Sequence, residues 1–284
     1  MRVLITGLEG FTGRYLRDEL VGHGHEVVGL QADLTDAAAL AAEVKRVQPD
    51  CVAHLAGIAF VGHGEANDFY RVNLMGTRNL LAALADCGKR PDCVLLASSA
   101  NVYGNGTAGV LSEDAPLKPA NDYAVSKAAM EHMARLWLDR LPIVIVRPFN
   151  YTGVGQSEMF LLPKIVALFK RRAGVIELGN LDVWRDFSDV RAVAEAYRRL
   201  LEAGPAGETV NVCSGRTHSL REALALCERL TGHVMAVRVN PAFVRANEVR
   251  SLCGDPSRLR ALIGDWDTPP LQETLGWMLS EAVP

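Results

Sequence analysis

The chain opens with Arg2-Val-Leu-Ile-Thr6, an apolar strand-forming run, and breaks at Gly7-Leu-Glu-Gly10-Phe-Thr-Gly13 before helical periodicity carries on to about Val21. Strand, glycine turn and helix in that order constrain the fold more than any other feature, because a helix leaving such a turn must pack back on the sheet that its strand enters. The same order is the context of a dinucleotide fingerprint. Glycines make the turn tight and let backbone approach a pyrophosphate, whose charge sits at the helix N-terminus. The spacing here is G-x-x-G-x-x-G rather than G-x-G-x-x-G.

The alternation then repeats. His25 to Leu30 reads as a second strand and Asp36 to Val47 as an amphipathic helix capped near Thr35. Asp50 to His54 is a third strand ending in Leu55-Ala56-Gly57, and a long helix follows from about Ala66 to Ala85 with Asn73 inside it. Cys93 to Ser98 is a fourth strand closing on Ser98-Ser99, and Ile143 to Val146 a later one that turns at Arg147-Pro148-Phe149-Asn150. Strands and helices in alternation, without hairpin signals, predict an α/β fold: a Rossmann-like, doubly wound parallel sheet. Ligands of such sheets collect beyond the carboxyl ends of the strands, where the glycine turn, Ser98-Ser99 and Asn150 all fall.

Beyond Asn150 the elements shorten and Gly and Pro interrupt them, although Asp189 to Leu201 reads as one more helix of the main unit. Residues 1–150 with about 181–204 are therefore assigned to the main domain. Residues 151–180 and 205–284 are assigned to a smaller C-terminal lobe, as a length of 284 residues favours. An acidic residue ending the second strand would bind an adenosine ribose, and an arginine would accommodate a 2'-phosphate. Gln31 stands there, Asp33 lies slightly beyond and Arg14 follows the glycine turn, which leaves NAD against NADP open.

A formal charge of -3 gives no electrostatic case for nucleic acid or an anionic membrane. No apolar run is long enough to span a bilayer, and the first residues lead into a strand rather than a cleavable signal. The six cysteines are scattered without a C-x-x-C pair, and the seven histidines show no ligand spacing, so no metal site is expected. Reduced thiols and the missing signal point to a cytoplasmic protein.

After a Pro-containing loop, Asp122-Tyr123-Ala-Val-Ser-Lys127 begins a run with helical periodicity to Asp139. Residues four apart share a helix face, so the Tyr123 phenol and the Lys127 ammonium project together. A fixed positive charge favours the phenolate, and Lys127 is accordingly expected to lower the pKa of Tyr123. Met130, Met133, Leu136 and Trp137 make this segment unusually apolar, which suits either a dimer face or core.

Six motifs in order, Gly7-x-x-Gly10-x-x-Gly13, His54-Leu-Ala-Gly57, Asn73-x-x-Gly76-Thr77, Ser98-Ser99, Tyr123-x-x-x-Lys127 and Arg147-Pro148, resemble the extended short-chain dehydrogenase/reductases that modify nucleotide-activated sugars. The resemblance covers nearly the whole chain. Arg147 to Gln156, Gly179-Asn180-Leu181 with Arg185-Asp186-Phe187, and Val210 to Gly215 are similar to GDP-4-keto-6-deoxy-D-mannose reductases, with GDP-mannose 4,6-dehydratases close by. Arg245-Ala-Asn-Glu248-Val249 followed by Gly254-Asp-Pro256 resembles the segment those proteins use around the GDP ribose.

The resemblance implies NADP or NAD as cofactor, a GDP-hexose bound between the lobes, and a homodimer. It places cofactor contacts on Gly7, Gly10, Phe11, Thr12 and Gly13, on Asp33 and Leu34, and on Leu55, Ala56 and Gly57. It makes Tyr123 the proton donor, Lys127 the charge that tunes it and holds the nicotinamide ribose, and Ser99 a hydrogen-bond donor to the developing alkoxide. Ser98, pointing the other way along the strand, is structural. Arg185 and Arg245 are candidates for the diphosphate, where a planar fork suits phosphate oxygens, against ordinary surface ion pairs. Glu248 is a candidate for ribose hydroxyls, Asn150 for the nucleotide-sugar backbone, and His63 for the sugar. His54 and Asn73 read as structural.

Family dehydratases carry a glutamate two residues after the catalytic Ser/Thr. Aligning Ser99 there puts Asn101 at that place, and an amide performs neither proton transfer of an elimination. Asn101 favours reduction of GDP-4-keto-6-deoxy-D-mannose to GDP-D-rhamnose over dehydration. Nucleotide-sugar 4-epimerisation, non-acidic at this position too, stays open, as does a dinucleotide-binding sensor without catalysis.

Overall fold

A computed structural model describes residues 1–59, 65–104, 109–243 and 250–281. In chain order the first half is β1 (Arg2–Thr6), α1 (Phe11–Gly22), β2 (Glu26–Gly29), α2 (Ala37–Val47) and β3 (Cys51–His54). A continuous helix follows, made of α3 (Ala66–Asp68), the π-helical Phe69–Gly76 and α4 (Thr77–Ala85). Next come β4 (Cys93–Ala97), a 3-10 turn at Ala100–Tyr103, β5 (Val110–Leu111), α5 (Asp122–Arg135) and β6 (Ile143–Pro148). The second half holds β7 (Asn150–Thr152), α6 (Leu161–Lys170), β8 (Val175–Leu178), β9 (Trp184–Asp189) and α7 (Val190–Ala203). It ends with β10 (Thr209–Val212), β11 (Thr217–Ser219), α8 (Leu220–Thr231), β12 (Ala236–Val239), β13 (Ser251–Gly254), α9 (Ser257–Ile263) and α10 (Leu271–Ser280).

The main sheet is parallel throughout and runs β2-β1-β3-β4-β6-β10. The order reverses beside β1, so the crevice at the carboxyl ends of β1 and β3 is the topological switch point. Successive residues of each strand enter opposite cores: Val3 and Ile5 pack with α1, α7 and α9, whereas Leu4 packs with α2, α4 and α5. Burial on both faces explains why these strands read as apolar runs rather than as alternation.

Thr209–Val212 lies in this sheet, hydrogen-bonded to β6, and Leu259 and Ile263 of α9 pack beneath it. Assigning 205–284 wholly to the second lobe is therefore corrected: the strand and helix 9 belong to the main unit. Trp184–Asp189 goes the other way, from the main domain into a second sheet of order β11-β9-β13-β5, which β7 joins through β9. That sheet contains an antiparallel pair, β9 with β11, whose three-residue partner is too short to show a period in sequence. Asp186 joins the two units. Its buried carboxylate accepts hydrogen bonds from Ser214 N (2.8 Å), Ser214 Oγ (2.6 Å) and Gly215 N (2.9 Å), just past β10.

Two local expectations shift. The cap of α2 is Asp36, whose Oδ1 accepts from Ala38 N and Ala39 N, rather than Thr35. The helix bearing Tyr123 starts when Asn121 Oδ1 accepts from Ala124 N and ends at Arg135, four residues short of Asp139. Met130 lies in the core, with Met133 and Trp137 packed against it, and only Leu136 of that apolar group is exposed. No helix among the described residues is long and apolar enough to cross a membrane.

Candidate active site

The glycine turn delivers the first turn of α1 uncapped. Gly10 makes no side-chain cap and no acidic residue occupies the opening turn, so the free N–H groups and the positive end of the helix dipole are left to an anion. Gly7 has φ +74°, and a Cβ there would sit 3.0 Å from Ala56 backbone; a Cβ on Gly13 would sit 2.2 Å from Gly7 O. Only glycine lets β1, α1 and the Leu55-Ala56-Gly57 segment approach this closely. The cradle fits a dinucleotide pyrophosphate in shape and in polarity.

Behind it, a buried polar relay joins β1, β3 and α4. Thr77 Oγ1 donates to Asn73 O (2.7 Å), so it accepts from His54 Nε2 (2.8 Å), and His54 Nδ1 accepts from Thr6 Oγ1 (2.7 Å). Burial, with the charge of Lys127, lowers the His54 pKa to about 3, which keeps the imidazole neutral. Asn73 accepts from Ile58 N at 2.9 Å and donates to Ile58 O and Ser126 Oγ at 3.1 Å each. His54 and Asn73 thus have the structural roles expected, and Asn73 sits in a π-helical stretch, a deviation common beside functional sites.

Tyr123, Lys127 and Ser99 come together at the end of β4. The Ser99 hydroxyl is a hydrogen-bond partner of the Tyr123 phenol and also accepts from Asn101 N at 3.2 Å. Lys127 Nζ donates to Ala97 O at 2.7 Å, and a Cβ on Gly57 would lie 3.4 Å from it. Both side chains are buried, with 6 % and 7 % exposure. Burial raises the phenol to about 12 despite the Ser99 bond, with Tyr151 adding to the rise. The expected depression of the Tyr123 pKa is therefore corrected: desolvation of the phenolate dominates and the pKa rises. Lys127 itself is lowered to about 8 by burial, with Glu131 opposing the drop.

Residues 3–213 fit the model of the NAD dependent epimerase/dehydratase family. The chain belongs to that family. It is 36% identical over 272 residues to the GDP-6-deoxy-D-talose 4-dehydrogenase of Aggregatibacter actinomycetemcomitans, covering 93% of this chain and 92% of that one. It is 33% identical over 304 residues to the GDP-6-deoxy-D-mannose reductase of Pseudomonas aeruginosa, covering 96% and 99%. Among solved structures it resembles a candidate epimerase from Burkholderia cenocepacia J2315, with TM-score 0.94, 54% identity and coverage of 98% and 96%. It also resembles RMD from Pseudomonas aeruginosa complexed with NADPH, with TM-score 0.89, 32% identity and 98% coverage of both chains.

The remaining candidates of the family pattern are more scattered. Phe11 stacks on Tyr151 with ring centroids 6.1 Å apart, and Thr12 Oγ1 shares a 2.8 Å hydrogen bond with the Tyr151 hydroxyl. Leu55 packs on one core and Ala56 on the other, with Ala56 N donating to Thr6 Oγ1 at 3.1 Å. Leu34 is buried and its carbonyl accepts from Asn79. Exposed Asp33 is held by Thr35 N (2.7 Å) and Thr35 Oγ1 (2.8 Å), and these bonds lower its pKa. Asn101 is exposed beside Ser99. Asn150 Nδ2 donates to Asp186 O at 3.4 Å, joining β7 to β9. Arg185, half-buried on β9, donates to the carbonyls of Trp184 and Arg250. Arg245, Glu248 and His63 lie outside the described residues.

The sequence reading missed Tyr151, which lies between the glycine turn and Tyr123. It also missed the buried pair of Arg147 and Glu131. Arg147 Nε and one terminal nitrogen grip Glu131 at 2.9 and 2.6 Å, and its other nitrogen donates to Tyr103 Oη (2.9 Å) and Glu113 O (3.0 Å). A signal existed for both: an arginine closing the apolar run Ile143-Val-Ile-Val, and a glutamate four residues after Lys127.

Proposed function

We propose that the protein reduces the C4 ketone of GDP-4-keto-6-deoxy-D-mannose with NADPH or NADH, giving GDP-D-rhamnose. The observation that carries this reading is the gathering of buried Ser99, Tyr123 and Lys127 at the end of β4, with an amide, Asn101, two residues after Ser99. Reduction of a ketone asks for one well-placed proton donor at the oxygen, whereas elimination of water asks for an acid and a base together. Asn101 supplies neither.

In this reading the cradle at Gly7, Gly10 and Gly13 holds the cofactor pyrophosphate, Asp33 and Leu34 meet the adenosine end, and Lys127 holds the nicotinamide ribose. The bound nicotinamide supplies the hydride to C4. Ser99 donates to the carbonyl oxygen as negative charge develops there, and Tyr123 passes its proton to that oxygen, so the ketone becomes a secondary alcohol. Asn150 and Arg185 are assigned to the nucleotide-sugar side of the site, where a planar guanidinium suits phosphate oxygens. The lobe around β9 and β13 holds the sugar nucleotide. The relatives named for GDP-6-deoxy sugars support this substrate class.

A second reading has one specific support, the 36% relative named as a GDP-6-deoxy-D-talose 4-dehydrogenase. It keeps the ketone and the same residues but delivers hydride to the other face, so that the product is the C4 epimer. The purified protein mixed with verified keto sugar and NADPH or NADH should consume nicotinamide absorbance stoichiometrically. Proton NMR of the product then reads the configuration: a large diaxial H3–H4 coupling means the rhamnose product, a small one the talose product. Absence of cofactor consumption rejects both and returns the chain to the dehydratases and epimerases.

The cradle has its own test. Gly13→Ala forces a methyl against Gly7 O, an overpacked backbone contact costing about 1–3 kcal/mol. NADPH affinity, read by nicotinamide fluorescence, should fall by about 10- to 100-fold. An unchanged Kd places the pyrophosphate elsewhere.

A further inference from the structure

We infer that Glu131 is a positioning residue for the Ser99–Tyr123–Lys127 site: one buried carboxylate sets the register between α5 and the end of β4. This rests on the reduction proposed above. Three consecutive residues leaving β4 are gripped by three residues spaced four apart on α5. Ser99 meets Tyr123, the Ala97 carbonyl receives Lys127 Nζ at 2.7 Å, and Ser98 Oγ donates to Glu131 Oε1 at 2.5 Å. Spacing of i, i+4 and i+8 puts the three side chains on one helix face. Ser98 and Ser99 are adjacent, so tethering Ser98 to Glu131 fixes the backbone from which Ser99 meets the phenol.

Glu131 is 0 % exposed, and its remaining capacity is filled by the Arg147 fork from β6. Arg147 lies on β6, the strand that leads to Asn150, so a third segment is registered on this carboxylate. Burial would lower the Arg147 pKa, but the hydrogen bonds and charge of Glu131 outweigh it and raise the pKa instead.

The charged and titratable groups around Lys127 are few. On its own helix stand Tyr123 and Glu131. From β3 comes His54, kept neutral. From β6 comes Arg147, facing Glu131. Tyr103 and Glu113 face Arg147 from the 3-10 turn and the segment after β5, and Tyr151 on β7 acts on Tyr123. Among these, Glu131 is the group that opposes the effect of burial on Lys127.

Lys127 works as a cation, so its contribution is present below its pKa of about 8 and lost as pH rises through it. Removing the carboxylate lowers that pKa and moves the loss to lower pH. Glu131→Gln should shift the alkaline limb of both NADPH affinity and kcat/KM down by about one pH unit. At pH 8 the kcat should fall about tenfold, since the Ser98 tether weakens with the charge. Because Glu131→Gln leaves Arg147 buried without its counter-charge, E131M/R147M serves as the second variant: it removes both charges into similar volume and recovers the fold.

Fold and function then separate. If E131M/R147M regains wild-type thermal stability while its alkaline limbs stay shifted, Glu131 positions and tunes the site. If it regains stability, wild-type limbs and wild-type kcat together, Glu131 serves stability alone and the inference is overturned. Failure of both variants to fold overturns it as well. Should the wild type consume no cofactor with the keto sugar, the reduction reading fails, and the pH dependence of NADPH affinity still decides on Glu131.

Discussion

Tyr123→Phe is expected to lower kcat for keto-sugar reduction by about three orders of magnitude, within the span that positioned proton donors contribute, while NADPH affinity changes less than about threefold. Phenylalanine keeps the ring, its burial and its tilted packing on Phe69 at 5.9 Å, so the cleft should hold its shape. What disappears is the hydroxyl beside Ser99. Burial keeps that hydroxyl protonated up to about pH 12, so it is ready to donate across the whole working range. The lost hydrogen bond alone costs about 1 kcal/mol of stability, too little to unfold the domain. Stopped-flow single turnovers with preloaded cofactor separate the chemical step from binding. A variant that turns over within tenfold of the wild type would mean that another group donates the proton, and Ser99 would be the next to test.

The largest effect on stability is expected from Arg147→Met. The Arg147 side chain is 2 % exposed and Glu131 0 %, and their two-pronged contact at 2.6 and 2.9 Å is closed to water. Removing one partner leaves a carboxylate buried with Ser98 as its remaining donor, a change that costs about 3–5 kcal/mol in comparable pairs. Tyr103 Oη and Glu113 O lose a donor at the same time. The thermal midpoint should fall by roughly 6–15 °C, and urea unfolding at neutral pH should give the same ΔG loss. A loss under about 1 kcal/mol would show that the pair contributes no more than an exposed ion pair does. Tyr103 also donates to Asn211 Oδ1 at 2.6 Å, so the damage should spread to β10, the edge strand of the main sheet.

Much of the Ser99, Tyr123 and Lys127 cluster was legible because its parts are local. Tyr123 and Lys127 share a face by helical spacing, which follows from backbone geometry alone. The structural roles of His54 and Asn73 were legible for the same reason, each lying at a strand end or inside a helix beside the glycine turn. The partnership of Glu131 with Arg147 was not, since the two are sixteen positions apart on different elements. Asp186 was quoted within a motif, yet its task of holding Ser214 and Gly215 depends on where β10 ends, which no spacing around Asp186 reveals. The same limit misplaced Thr209–Val212: four apolar-flanked residues read alike whether they complete a six-stranded sheet or begin a lobe.

By itself the sequence determined the doubly wound parallel sheet, the anion cradle at the start of α1 and the face that carries Tyr123 and Lys127. Each depends on periods of two or 3.6 residues and on glycines at a turn, properties written in neighbouring residues. Tertiary structure alone decided the protonation of the site. Proximity of a lysine on the same helix predicts an acidified phenol, but enclosure by β4, the π-helical stretch and β7 removes the water that a phenolate needs and pushes Tyr123 up to about 12. Desolvation is set by everything packed around a group, and that sum exists only once the chain has folded.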